Sequence, residues 1–178
     1  MDDASVRVAL SVARAAERHS RLAPGDWPAV AVGMLVEGNE DPEVAELAGA
    51  SRQVSGWDTE PLVSALCERY GVPSPGPEDS TDLLARLMAD DLRVRPASVT
   101  APMIRLLARL APPDFESDLA CRCYAMEEYL NCGCAQIDFG FEAELRRLPS
   151  LRLSDSVVQA LARPLRSTLP TARPPCGH

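Results

Sequence analysis

Residues 26–49 read DWPAVAVGMLVEGNEDPEVAELAG, and their punctuation decides the fold class. Asp26 and Trp27 stand before Pro28, a first-turn proline, and the apolar run bearing Ala31, Met34 and Leu35 stops at Gly38 and Asn39. Asp41 and Pro42 then open a second run through Val44, Leu47 and Ala48. Proline suits the first helical turn, where its missing N–H would find no partner anyway, and glycine suits the position just past the last turn. Two helices therefore start and stop within this one stretch, and no strand-like alternation interrupts them.

The same devices recur on both sides. Residues 4–20 carry Val6, Leu10 and Ala13 on one stripe, and Thr59 to Pro61 start a helix through Leu62, Ala65, Leu66 and Tyr70 that ends at Gly71. Ser80 or Thr81 caps a helix with Leu83, Leu84, Leu87 and Met88. Thr100 caps one with Met103, Leu106, Leu107 and Leu110, which Pro112 and Pro113 stop. Asp114 caps the next, through Leu119, Met126 and Leu130, and a further helix holds Ile137, Phe141, Leu145 and Leu148. Ser154 caps the last, with Val157, Val158 and Leu161, before Pro164, Pro170, Pro174 and Pro175. Eight or nine short helices without a strand predict an all-α fold, a compact multi-helix domain.

The stretch 72–79, Val-Pro-Ser-Pro-Gly-Pro-Glu-Asp, holds three prolines and is expected to be non-helical, a boundary between two helical halves. The organisation read this way is an acidic N-terminal half over 1–71, a proline-rich linker over 72–79, a C-terminal half over 80–166 and a mobile tail over 167–178. The halves share no residue-level repeat, so a solenoid is not supported.

The chain has 178 residues, which bounds it to one domain or two small ones, and 46% hydrophobic with 25% charged residues marks a globular protein. All 18 basic side chains are arginine. Residues 1–90 carry sixteen acids against seven arginines, whereas residues 146–178 carry one acid against six. An acidic body repels phosphate backbones, so nucleic acid is disfavoured and a basic protein partner suits it better. No run approaches the length of a membrane-spanning helix, and the start Met1-Asp2-Asp3 is the opposite of a signal peptide, so a cytoplasmic location is expected.

Trp27-Pro28 through Gly38, Asp41-Pro42, Glu46-Leu47-Ala48-Gly49, the helix from Leu62 to Tyr70 and Gly71-Val72-Pro73 together resemble a group of small helical bacterial proteins of uncharacterised activity. The resemblance covers about residues 5–110. It implies an all-helical fold and carries no functional residues. A second pattern, Val44-Ala45-Glu46-Leu47-Ala48-Gly49-Ala50-Ser51-Arg52, looks like the first helix and turn of a repressor helix-turn-helix. Gly56 and Pro61 stand where the recognition helix should run, and Asp58 and Glu60 stand where phosphates would sit, so the continuation argues against DNA binding.

The most concentrated chemistry is Cys121-Arg122-Cys123 with Cys132-Gly133-Cys134. Four thiolates make a complete tetrahedral set for zinc and also suit copper(I). The residues of a C-x-C pair lie about 200° apart on a helix, and a continuous helix would separate the two pairs by about 16 Å, so a shared ion requires a break. The competing reading is that the thiols are buried as small hydrophobes. Cys67 is expected in the core, and Cys176 exposed. Residues 115–141 hold five of the eight aromatic rings, Tyr124, Tyr129, Phe139 and Phe141 among them.

Enzymatic motifs are absent from the sequence: no nucleophile elbow, zincin helix or phosphate-cradling loop occurs. His19 reads as a helix C-terminal residue whose protonated ring suits that end of the dipole, and His178 is terminal. Asp90-Asp91 and Glu127-Glu128 read as solvated faces without partners at helical spacing, although acid/base work by Glu127 or Glu128 beside the cysteines stays open. The sequence thus predicts a non-enzymatic interaction module, immunity- or adaptor-like, that binds a protein partner through its acidic half and needs no cofactor. The alternative is a zinc-binding or thiol-redox protein built on Cys121, Cys123, Cys132 and Cys134. A third reading is a transcriptional regulator acting through residues 42–57.

Overall fold

Helix α1 spans Asp3–Arg18, and the reason it starts there is Asp2, whose carboxylate accepts the Ser5 N–H at 2.8 Å. Asp3 in the first turn and Arg18 in the last complement the helix dipole. Val6, Ala9, Leu10, Ala13 and Ala16 line its buried face. A short 3₁₀ turn, Pro24–Asp26, leads into α2, Trp27–Val36, which is apolar on every side. The remaining helices are α3 (Pro42–Gly49), α4 (Gly56–Tyr70), α5 (Pro77–Val94) and α6 (Asp155–Ser167). These elements come from a computed structural model that describes residues 1–95, 108, 121, 122, 124, 125, 127, 143 and 145–167. Among the described residues no strand occurs, and the all-α class holds.

Three helix boundaries differ from the local reading. The helix expected to start at Thr59–Pro61 starts at Gly56 instead, because the Asp58 carboxylate accepts both the N–H (3.2 Å) and the Oγ–H (2.6 Å) of Ser55 and organises the first turn earlier. Pro61 therefore lies inside α4. The proline-rich stretch 72–79 is non-helical only to Gly76: Pro77 opens α5, and Ser80 and Thr81 are buried inside the helix rather than capping it. Ser80 Oγ donates back to the Gly76 carbonyl at 2.6 Å. Ser154 does precede α6, its carbonyl accepting the Val158 N–H at 2.9 Å, but the helix runs on through Pro164 to Ser167. Of the helices expected behind Thr100, behind Asp114 and around Ile137 to Leu148, only scattered residues are described: 108, 121, 122, 124, 125, 127, 143 and 145–147 are helical, and 148 is in a bend. The rest of those segments, and residues 168–178 of the tail, lie outside the described residues.

The core lies between α1, α2, α5 and α6. Leu10, Trp27, Met34, Leu84, Leu87 and Leu161 are fully buried there, each contributing about 1.5–3 kcal/mol by leaving water. Val44, Leu47, Val63 and Leu66 extend the core under α3 and α4. Residues from both sides of 72–79 belong to this one apolar cluster. Gly33 lies where α2 meets α6, and a Cβ there would just touch the Ser156 carbonyl oxygen and the Val157 Cα, at 3.4 Å, so no larger side chain fits between them.

A polar clamp closes the core at the end of α5. Asp90 and Asp91, read from sequence as a solvated face without partners, are both buried. Asp90 pairs with Arg93 three residues on and accepts the Leu151 N–H at 2.8 Å. Asp91 pairs with Arg95 four residues on and with Arg166 of α6, each at 2.5 Å. Buried carboxylates persist only when charges and donors surround them, and here Arg93 and Arg95 stand at helical spacing while Arg166 comes from α6.

Candidate functional site

The outer face of α4 combines two locally unfavourable choices. Trp57 is 92% exposed, in contrast to Trp27, which is 1% exposed. Four residues further along the same face, Pro61 interrupts the helix ladder, because it cannot donate to the Trp57 carbonyl. Sequences break local rules at functional or strained positions and compensate elsewhere. The large exposed indole and the mid-helix proline border one open hollow of about 600 Å³, which Glu60 and Ser64 also line. Ser64 also borders a second hollow of about 390 Å³, lined by Cys67, Glu68, Gly71 and Pro73 as well. The two hollows are shallow and meet at Ser64, and together they form an open groove on the solvent side of α4.

The face is held rigidly from both ends. At its start, Gly25 packs so closely on the loop before α4 that a Cβ there would lie 2.3 Å from the Arg52 carbonyl oxygen, a contact only glycine permits. Trp27 Nε1–H donates to Glu17 at 2.6 Å, Arg14 donates to Glu17 at 2.8 Å and to both oxygens of Glu60 at 3.0 and 3.1 Å, and Ser64 donates to Glu60 at 3.0 Å. This chain ties α2, α1 and α4 together. At its end, Arg69 pairs with Asp41 and Glu43, each at 2.6 Å, and Tyr70 donates its hydroxyl to Asp41.

The same contacts keep the acids ionised. Arg14 holds the Glu60 carboxyl below its ordinary value, and the Ser55 hydroxyl and N–H do so for Asp58. Burial pushes Asp41 up, but hydrogen bonds from Tyr70, Asn39 and Arg69 outweigh it, and its net shift is downward. Asp58, Glu60 and Glu68 are all exposed on or beside the groove. Burial pushes the Cys67 thiol up, away from a reactive thiolate, and Cys67 is half-buried on the groove wall rather than in the core interior. A separate apolar patch on α2 exposes Val32, Leu35 and Val36.

Of the residues singled out as metal ligands, Cys121 is exposed, and Cys123, Cys132 and Cys134 lie outside the described residues. Among the described residues no group of three or more His, Cys, Asp or Glu side chains converges on one point. Tyr124 is exposed, Glu127 is half-buried, and Glu128, Tyr129, Phe139, Phe141, Cys176 and His178 lie outside the described residues. His19 caps α1 as expected, but desolvation, with Arg18 and Arg21 beside it, lowers its pKa and disfavours the protonated ring. The helix that DNA recognition would need after the 42–49 helix does exist, contrary to the local reading of Gly56 and Pro61; α4 starts at Gly56 and presents Asp58, Glu60 and Glu68. No motif in the sequence singles out Trp57. Its exposure has no local signal beyond the flanking Gly56 and Asp58. Among the described residues no helix is long and apolar enough to cross a membrane. No family model, curated protein or solved structure matches the chain.

Proposed function

We propose that this protein is a non-enzymatic helical interaction module, immunity- or adaptor-like, that binds a basic protein partner in the cytoplasm through its acidic N-terminal helices. The observation that carries this reading is the rigid outer face of α4, where an exposed tryptophan stands among ionised carboxylates. Charge supports it, because sixteen acids face seven arginines over residues 1–90. Such an imbalance steers a positively charged partner toward the surface and repels nucleic acid.

The test uses the full chain as bait in extracts of the cells that make it, beside a variant with Glu40→Lys and Glu46→Lys, two exposed positions away from the groove. The expected result is one stoichiometric protein rich in arginine and lysine, retained at about 50 mM salt, released at about 0.5 M as the Debye length shrinks, and weakened on the variant. Recovery that ignores both salt and charge reversal overturns the reading. So does a stoichiometric nucleic acid, or zinc bound at one ion per chain with no protein partner.

A further inference from the structure

We infer that the groove along α4 is the docking surface itself, and that its occupant is an extended, arginine-bearing segment of the partner whose guanidinium stacks on Trp57. The inference rests on the reading of this protein as a binder of basic proteins. Trp57 offers both faces of its indole to solvent at 92% exposure, and a cation over an indole face is attracted by the ring quadrupole. A planar guanidinium stacks there better than an ammonium, because it is more weakly hydrated and matches the ring in shape.

Charge complementarity selects the same occupant. Asp58 lies next to Trp57 in sequence and Glu68 borders the next hollow, both exposed, whereas Glu60, which borders the same hollow as Trp57, has its charge already balanced by Arg14. From Trp57 to Glu68 the helix rises about 16 Å. About five residues of extended chain span that distance, so one short segment reaches both the ring and the distal acid. The platform beneath it is already ordered, since Arg14 and Ser64 fix Glu60 and Asp58 is held by Ser55. Little ordering is then required of this protein on binding.

The experiment is a fluorescence titration of the full chain with a capped nona-arginine peptide at low salt, with acrylamide quenching as a second readout. Trp27 is buried, so collisional quenching reports Trp57. The expected result is that the peptide shields Trp57 from acrylamide, that Trp57→Ala weakens binding about five- to tenfold, and that Glu68→Gln weakens it about twofold. Isothermal titration supplies the affinity where the fluorophore is removed. Thermal melts of both variants are expected to match the parent, because neither side chain is packed in the core. Equal affinity of the parent and Trp57→Ala overturns the groove assignment while leaving an acidic binder of basic proteins standing. Nona-lysine bound as tightly as nona-arginine overturns the choice of guanidinium. No binding of either peptide overturns both the groove and the function it rests on.

Discussion

Asp90 shows how far a single residue's role depends on a distant part of the chain. Its carboxylate accepts the buried N–H of Leu151, sixty-one positions away, as well as the Ser150 hydroxyl at 3.3 Å. Asp90→Ala leaves that N–H without an acceptor and is expected to cost about 2–3 kcal/mol. In a domain of this size that is about 5–10 °C in Tm, read by thermal melting. Asp90→Asn keeps an acceptor oxygen and should lose clearly less. His19 makes a second residue-scale case, since its Nε2 is buried and finds no partner among the described residues. Its folded pKa lies below the ordinary value, so the unfolded chain takes up the proton first, and its stabilising contribution is full above about pH 6.5 and lost as pH falls toward the folded value. His19→Gln is expected to flatten the fall in stability between about pH 7 and 5, as measured by urea midpoints. The carboxylates Asp2, Glu43, Asp58 and Glu60, all shifted down, lose their contribution only at lower pH, so the acid limb below about pH 4 should persist in that variant. The sequence places His19 at the helix end, but not the desolvation that lowers its pKa, because desolvation depends on what packs over the ring.

Helices show a different balance between local and distant causes. The starts of α1, α2 and α3 follow from Asp2, Pro28 and Pro42, signals that act within one turn. Helix α4 starts three residues before the Thr59 that the sequence predicts, because Pro61 looks like a first-turn proline whereas the Ser55 and Asp58 pair caps the helix ahead of it. Nothing in the periodicity of α2 shows where its partners lie, because it is apolar all round. Gly33 reveals one of them. With Cβ contacts of 3.4 Å to the backbone of α6, alanine just fits, and its helix propensity favours it by about 1 kcal/mol. Gly33→Ala is therefore expected to leave stability unchanged or raise it slightly. Gly33→Leu forces α2 and α6 apart and should cost about 1–3 kcal/mol, which chemical denaturation of the two variants would separate. A loss in Gly33→Ala as large as that in Gly33→Leu would mean that the two helices leave no room even for a Cβ.

At the scale of the whole molecule, one apolar cluster joins α1 and α2 to α5 and α6 across the stretch 72–79. A shared core predicts cooperative unfolding, so Trp27 emission, followed in a Trp57→Ala background, and far-UV ellipticity should report one coincident transition. Two separated transitions would mean that the halves on either side of the prolines hold independently. The chain's sequence by itself determined the helical class and the acidic bias of the first ninety residues, because helix signals act over three or four residues and charge is additive. Tertiary structure alone decided that Asp90 and Asp91 are buried and clamped while Asp58 and Glu60 face solvent, and that one tryptophan anchors the core while the other stands outside it. The physical reason is that exposure and ion pairing are set by contacts such as Gly25 with Arg52, Arg14 with Glu60 and Asp90 with Leu151, which only packing brings together.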